Sequence, residues 1–466
     1  MARNRKLDMT LTGVTIESVA AEGKALAHVD GQVVFVEFAV PGDVVDIRVT
    51  KKKKNYLEGR IIRIVSPSER RLEPFCEHFG VCGGCKWQPL PYEMQLDAKR
   101  RQVYDQLVRI GHLDVPEIRP TLGSEKTREY RNKLEYSASC RRWLSAEEMS
   151  DAVEFTPGMG FHVGKFFDKV LDIRHCHLQR EPSNAIRLFI KEYAIGHSIP
   201  FYDLRENHGI LRNVFVRTSE DGGVMVIVCF GARFEGMTDM LDAISDRFPE
   251  ISSLYYIVNP KVNDSIGDQE CILHKGDEVI YEEMEGLRFR IGPKSFYQTN
   301  AAQAYNLYKV ARDFASLKGG EVVYDLYTGT GTIAQFVSSK ASRVIGIEYV
   351  PEAIADAKTN AAANNITNCE FFAGDMKDVL TGAFIEAHGR PDVMIVDPPR
   401  AGMHPDVVKT IMDAAPGRIV YVSCNPASQA RDIAMMSSKY RITDVQPVDM
   451  FPHTQHVENV CRLELI

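Results

Sequence analysis

Between residues 7 and 66 apolar and polar positions alternate in short runs: Leu11 to Val19, Gln32 to Val40, Val44 to Lys51 and Tyr56 to Val65. A two-residue period broken at Gly23, Gly31 and Pro41-Gly42 predicts short strands joined by turns. Several such strands in succession suggest a small barrel of the oligonucleotide-binding kind, with Phe35 and Phe38 expected in its core. Pro67 and Ser68 end the pattern. Tyr92 to Ile110 then carries the spacing of one amphipathic helix, stopped by Gly111.

From 118 to 290 the pattern is mixed. Asn213 to Thr218, Val224 to Cys229 and Ser253 to Val258 alternate as strands of an antiparallel sheet, and stretches near 182–195 and 236–247 are spaced as helices to cover it. From about 291 strands and helices take turns. Glu321 to Leu326, Val344 to Glu348, Glu370 to Ala373, Val393 to Val396 and Arg418 to Ser423 read as strands. Thr332 to Ser338 and Pro351 to Asn364 read as helices. Such alternation predicts a doubly wound, mostly parallel sheet. The expected organisation is therefore a small β-barrel over 1–67, a central α+β domain over 68–290 and an α/β catalytic domain over 291–466.

A chain of 466 residues, 44% hydrophobic and 26% charged, fits a soluble protein of two or three domains. No apolar run approaches a membrane span, and the first residues lack the apolar core of a secretory signal. A cytoplasmic protein is expected, with no membrane association, no protein partner implied, and a monomeric state. The net charge of −7 argues against a general affinity for nucleic acid. It hides a basic block at Lys51, Lys52, Lys53 and Lys54, flanked by Arg48, Arg60, Arg63, Arg70 and Arg71, and a second at Arg128, Arg131 and Lys133. A phosphate-binding face needs only such local patches.

Candidate chemistry gathers at strand ends, where open parallel sheets bind ligands. Val323-Tyr-Asp-Leu-Tyr-Thr-Gly-Thr-Gly-Thr332 runs from a strand into a glycine turn, and Gly329 and Gly331 allow a ligand to approach the backbone. Glu348 closes the next strand, where a carboxylate can accept from ribose hydroxyls, and Asp375 closes the third. Asp397, in Asp397-Pro-Pro-Arg400, and Cys424, in Ser423-Cys-Asn-Pro426, end two further strands. Glu458, in His456-Val-Glu458, precedes the terminal strand Asn459 to Ile466. Ten cysteines are too few for a disulfide scaffold, and the spacing Cys76-x5-Cys82-x2-Cys85 reads as three metal ligands. Zinc and an iron–sulfur cluster both fit that spacing.

Taken together, these motifs resemble the RNA (uracil-5-)-methyltransferases, specifically the iron–sulfur branch acting on 23S ribosomal RNA. Phe296-Tyr-Gln-Thr-Asn300 matches the entry to that family's catalytic domain. Asp397-Pro-Pro-Arg400, Ser423-Cys-Asn-Pro426 and His456-Val-Glu458 match its catalytic signatures in order. The N-terminal barrel resembles the TRAM domain of RNA-modifying enzymes. One departure is Thr332, at a position often Asn in relatives. The resemblance implies a Rossmann-type methyltransferase domain that binds S-adenosyl-L-methionine through Gln298, Tyr327, Gly329, Glu348, Asp375 and Asp397. It implies Cys424 as the nucleophile and Glu458 as the base. It also implies a 4Fe-4S cluster on Cys76, Cys82, Cys85 and Cys176, with Cys140 as rival fourth ligand and His175 or His177 as the zinc-type choice. The implied substrate is a uridine of large-subunit ribosomal RNA, taken from a single-stranded or flipped-out setting.

A tRNA uracil-5-methyltransferase shares the chemistry, but the tRNA branch typically lacks both the TRAM domain and the cysteine cluster. A radical S-adenosylmethionine enzyme would carry C-x3-C-x2-C, which is absent. A non-catalytic RNA-binding protein would leave Cys424 and Glu458 without a role.

Overall fold

The structure, a computed structural model, describes residues 9–145, 147–149, 156–164, 166 and 168–466. The leading Met1–Asp8 segment, read above for the absence of a signal, lies outside the described residues. The chain divides into two compact units. One comprises Met1–Glu125, Pro398–Val408 and Val420–Ile466, and the other Lys126–Asp397 and Lys409–Ile419.

The first unit opens with a six-stranded sheet in the order Thr10–Thr15, Val44–Lys52, Tyr56–Ser66, Gln32–Glu37, Lys24–Val29 and Ser18–Val19. The run read as one strand from Leu11 to Val19 is split, and Lys24–Val29 is a strand the alternation had not marked. Val14, Ala25, Ala27, Val34, Val36, Val45, Ile47 and Leu57 fill the core. The period of two therefore puts Val34 and Val36 inside, and Phe35 on the opposite face. This corrects the expectation for the two phenylalanines. Phe35 and Phe38 are only half-buried, and their rings meet Tyr56 and Phe79 edge-on at 5.6 and 5.1 Å. Gly59 is required by close packing, because a Cβ there would lie 2.2 Å from the Ile47 side chain. At the Pro41-Gly42 turn, buried Asp43 accepts from Val40 N, Ser68 N and Arg71 at 2.7, 2.9 and 2.6 Å, which closes the barrel's corner.

The amphipathic stretch forms the helix Tyr92–Tyr104, and its last turn, Asp105–Ile110, widens to π geometry before Gly111. The C-terminal part of this unit contains the strand Arg418–Ser423 from Val420 onward, its neighbours Glu458–Leu465 and Tyr440–Val448, and the helix Pro426–Met436. The last two strands pair antiparallel.

The second unit contains two sheets and a hairpin. Its seven-stranded sheet runs Ile272–Gly276, Ser253–Val258, Val224–Phe230, Leu211–Thr218, Lys133–Ser139, Gly158–His162 and Val170–Asp172. This sheet is mixed, not purely antiparallel as expected. Val224–Phe230 and Ser253–Val258 pair in parallel because the helix Met237–Arg247 crosses between them, and parallel neighbours need such a crossover. Ile280–Met284 and Leu287–Ile291 form the hairpin. In the other sheet Cys369–Ala373, Arg343–Glu348, Val322–Leu326 and Val393–Val396 lie in that order, all parallel. The earliest of these strands in the sequence, Val322–Leu326, is central. The chain winds first to one side of it and then to the other, which is the doubly wound plan.

Candidate functional site

The reversal of winding falls between Val322–Leu326 and Val393–Val396, so their carboxyl ends open a crevice. Val322–Leu326 leads into a turn with Tyr327, Gly329 and Gly331 at φ 65°, 56° and 75°. Gly331 also has no room for a side chain, since a Cβ would come within 2.9 Å of Ala357 and Phe371. Gly329 N donates to Glu348 Oε2 at 3.1 Å, and Val350 N to Oε1 at 3.0 Å. Each oxygen keeps further accepting capacity, as a ribose diol requires. Gly374 N donates to the Glu348 carbonyl at 2.8 Å, which sets Asp375 one residue away, where it caps the short helix Met376–Val379. Hydrogen bonding thus brings Gly329, Glu348 and the Gly374-Asp375 turn together.

Beneath the turn, Asp325 accepts from Thr328 Oγ1 at 2.5 Å and Ala334 N at 3.0 Å. Burial pushes its carboxyl up to about 7. Asp397 follows Val393–Val396, and its N–H donates to the Leu326 carbonyl at 3.3 Å. Burial, with Asp325 nearby, pushes Asp397 up to about 7 as well. Two buried carboxyls thus sit close together at the strand switch, the place where open parallel sheets bind ligands. Gln298 belongs to another segment of this unit. Asn132 secures it by donating Nδ2 to the Gln298 carbonyl at 3.0 Å and its N–H to the Thr299 carbonyl at 2.8 Å. Asn300 then caps the helix Ala301–Ala315. Motif reading had missed Asn132, whose partner is remote in sequence.

In the first unit, half-buried Cys424 follows the strand Arg418–Ser423, and Glu458 opens the strand Glu458–Leu465. Gln429, on the helix that begins two residues after Cys424, is fully buried and joins the two strands. Its Nε2 donates to the Tyr421 carbonyl at 2.9 Å and the Asn459 carbonyl at 3.2 Å, and its Oε1 accepts from Asn459 Nδ2 at 2.7 Å. The nucleophile candidate and the base candidate are thereby held at the ends of neighbouring strands. Asn425 caps the helix Pro426–Met436 and donates to the Arg400 carbonyl at 2.9 Å, so the loop after Asp397 and the Cys424 loop are tied. Buried Asp432 reinforces the tie, accepting from Met403 N at 2.8 Å and the Tyr421 hydroxyl at 2.6 Å.

The approach to Glu458 has its own support. Lys99 and Asp449 form a fully buried ion pair. The Tyr92 hydroxyl donates to Asp449 at 2.8 Å, and Phe451 N does so at 3.0 Å. Gln95 Oε1 accepts from His453 N at 2.8 Å, and Lys86 N and Trp87 N donate to the His453 carbonyl at 2.8 and 3.1 Å.

Phe79 N bonds the Cys76 carbonyl at 3.0 Å, and Cys82 N bonds the His78 carbonyl at 3.1 Å, in a compact loop with Cys85. Burial pushes the Cys76 thiol up. Asn184 grips Cys176, accepting from its N–H at 2.7 Å and donating to its carbonyl at 3.2 Å. The neighbouring His175 and His177 rings lie 4.5 Å apart. Burial and Asp203 raise the Cys140 thiol. Among the described residues, no group of three or more His, Cys, Asp and Glu side chains forms a metal-holding set. No chemical step is routed through a metal group.

Residues 277–465 match the tRNA (Uracil-5-)-methyltransferase family, and residues 12–62 match the TRAM domain. A Porphyromonas gingivalis protein described as an uncharacterized RNA methyltransferase is 57% identical, over 96% of this chain and 98% of its own. A Bacteroides thetaiotaomicron protein of the same description is 56% identical, over 96% of this chain and 100% of its own. Among solved structures, the Pyrococcus abyssi tRNA (uracil-54, C5)-methyltransferase in complex with S-adenosyl-L-homocysteine is 29% identical. It superposes with a TM-score of 0.74, covering 97% of this chain and 100% of its own. The fold is accordingly a Rossmann-type methyltransferase with an N-terminal TRAM domain.

Proposed function

Because the chain belongs to the S-adenosyl-L-methionine-dependent RNA methyltransferases that carry the (uracil-5-)-methyltransferase domain, we propose that it methylates carbon 5 of a uridine in 23S ribosomal RNA, acting as a cytoplasmic monomer. The observation that carries the reading is Gln429, which ties the strand ends bearing Cys424 and Glu458. Uracil carbon 5 is a poor nucleophile. Addition of the Cys424 thiolate to carbon 6 makes the ring enolate-like and carbon 5 electron-rich. The bound sulfonium supplies the methyl group. Glu458 then takes the carbon 5 proton, and the thiolate leaves carbon 6 to restore the double bond. The Gly329 turn, Glu348 and Asp375 would hold the cofactor's nucleoside, with Tyr327, Gln298 and Asp397 completing the cofactor and uracil pocket.

Labelled methyl transfer to unmodified large-subunit ribosomal RNA, with the product base mapped, tests this. Label at carbon 5, its loss in Cys424→Ala, and a stalled covalent RNA complex in Glu458→Gln are expected. No label on any RNA by cofactor-loaded protein would sink the reading.

A second reading, a tRNA substrate, draws support from the Pyrococcus abyssi enzyme. That relative matches 97% of this chain, the barrel included, so domain content does not separate the two substrates. Unmodified tRNA in a parallel assay does. The proposal extends to a 4Fe-4S cluster on Cys76, Cys82, Cys85 and Cys176: the spacing of the first three thiols suits zinc or a cluster, and the family resemblance favours the cluster and supplies Cys176. Anaerobically purified protein would then contain about four irons and four labile sulfides per chain. Stoichiometric zinc without sulfide would refute the cluster.

A further inference from the structure

Lys133 and Arg217 stand directly opposite each other on the antiparallel strands Lys133–Ser139 and Leu211–Thr218. Cross-strand partners share a face, and like charges so placed repel. Both groups are also drawn out of water. Arg217 is 6% exposed, and burial lowers its guanidinium to about 10, which leaves it charged at neutral pH. Burial, with Arg217 opposite, lowers the Lys133 ammonium. Neither side chain has a carboxylate in salt-bridge contact among the described residues. Arg217 Nη2 donates to the Ser295 carbonyl at 2.8 Å, and its Nε has no acceptor. The Lys133 ammonium lies 5.4 Å from the Phe215 ring centroid. The other titratable groups near the pair are Glu135, Cys271 and Lys294. Glu135 lies two residues along the face, exposed to solvent, and its charge favours the Lys133 ammonium while Arg217 opposes it.

We propose that Lys133 and Arg217 form an anion site that takes a backbone phosphate of the RNA next to the target nucleotide. The inference rests on the RNA-methylation reading and names a contact within it. Position supports a phosphate near the reacting base. Arg217 holds the Ser295 carbonyl, and Asn132, adjacent to Lys133, holds the Gln298 and Thr299 carbonyls. Arg217 thus lies against the start of the segment that presents Gln298, with Lys133 opposite it across the strand pair. An arginine fork and a lysine point charge together suit a phosphate, and phosphate contacts fix the register of a nucleic acid. The cofactor's carboxylate is the other anion in the reaction, but the residues assigned to the cofactor's nucleoside lie on the other sheet of this unit. The pair also differs from the Lys51–Lys54 block, which is solvent-exposed and whose Lys51 is already paired with Glu58 at 2.7 Å.

The test measures affinity for an unmodified large-subunit ribosomal RNA transcript against potassium chloride concentration, alongside cofactor affinity. Half-exposed Lys133→Gln should weaken RNA binding roughly tenfold near 0.1 M salt and reduce the log–log salt slope by about 0.7, the loss of one single-strand phosphate contact. Cofactor affinity should not change, and Arg217→Lys should keep the wild-type slope. An unaltered slope and affinity in folded Lys133→Gln would overturn the site, as would loss of cofactor affinity with RNA binding intact. If wild-type protein methylates no RNA, the function fails. If it does and Lys133→Gln binds normally, only the anion site fails.

Discussion

Replacing Lys99 by Met tests whether the buried pair with Asp449 holds the segment that leads to Glu458. Both side chains are 0% exposed, so the substitution strands a carboxylate in the interior rather than in water. Asp449 would keep the Tyr92 hydroxyl and the Phe451 N–H, and the Phe451 carbonyl would lose its 3.2 Å bond from the ammonium. Removing one partner of a buried pair costs about 3–5 kcal/mol, most of it the stranded charge. Adding Asp449→Asn removes that charge, so the double variant should recover more than half of the loss. Trp87 is a local reporter, with its ring 5.8 Å from the Lys99 ammonium, and the chain has only two tryptophans. Guanidinium unfolding followed by Trp87 fluorescence in a Trp143→Phe background reads the cycle directly. A single-variant loss under about 1 kcal/mol, or a double variant equal to the sum of the singles, would refute the reasoning. At temperatures where Lys99→Met stays folded, its covalent RNA complex should persist longer than wild type, because proton removal by Glu458 depends on this seat.

Three further outcomes are expected. Glu282 is 2% exposed, and burial raises its carboxyl from 4.5 to about 7. Its folded-state value lies above the unfolded one, so its stability contribution is full below pH 4.5, falls as pH rises to 7 and is then flat. Glu282→Gln should remove that slope and stabilise the protein at pH 8 by about 3 kcal/mol, as read by urea denaturation. A parallel slope in the variant would exclude Glu282 as its source. Glu348→Ala should weaken cofactor binding by about 10–100-fold in calorimetry, since it loses the ribose acceptor and frees Gly329 N. Equal affinity would place the cofactor elsewhere. Gly402→Ala should lower methyl transfer and stability together, by about 1–3 kcal/mol in stability, because a Cβ at its φ of 80° meets Asp432 and Arg431 at 2.5 Å. Wild-type behaviour would show that the Arg400 loop does not set the Cys424 loop.

Local signals carried much of this protein. The two-residue period marked the barrel strands because one face must be buried, and the glycine turn and acidic strand ends marked the turns that gather at the carboxyl ends of the parallel strands, because a positive φ and a strand-end acceptor need those residue types. The adjacency of Cys424, Glu458 and their loops to strand ends was legible for the same reason. Lys24–Val29 escaped because Ala25 and Ala27 alternate too weakly against their neighbours to mark a strand, although both lie in the core. Phe35 was misplaced because alternation gives two faces without saying which is inside, and the neighbouring strands chose the valines. Likewise the parallel pairing of Val224–Phe230 with Ser253–Val258 depends on where the intervening helix crosses, not on either strand's composition. The partners of Asn132, Gln429, Lys99 and Lys133 lie far off in the chain, so no window of sequence contains them. A polar side chain's role is set by the group that satisfies or opposes it, and for these residues only folding brings that group within a few ångströms.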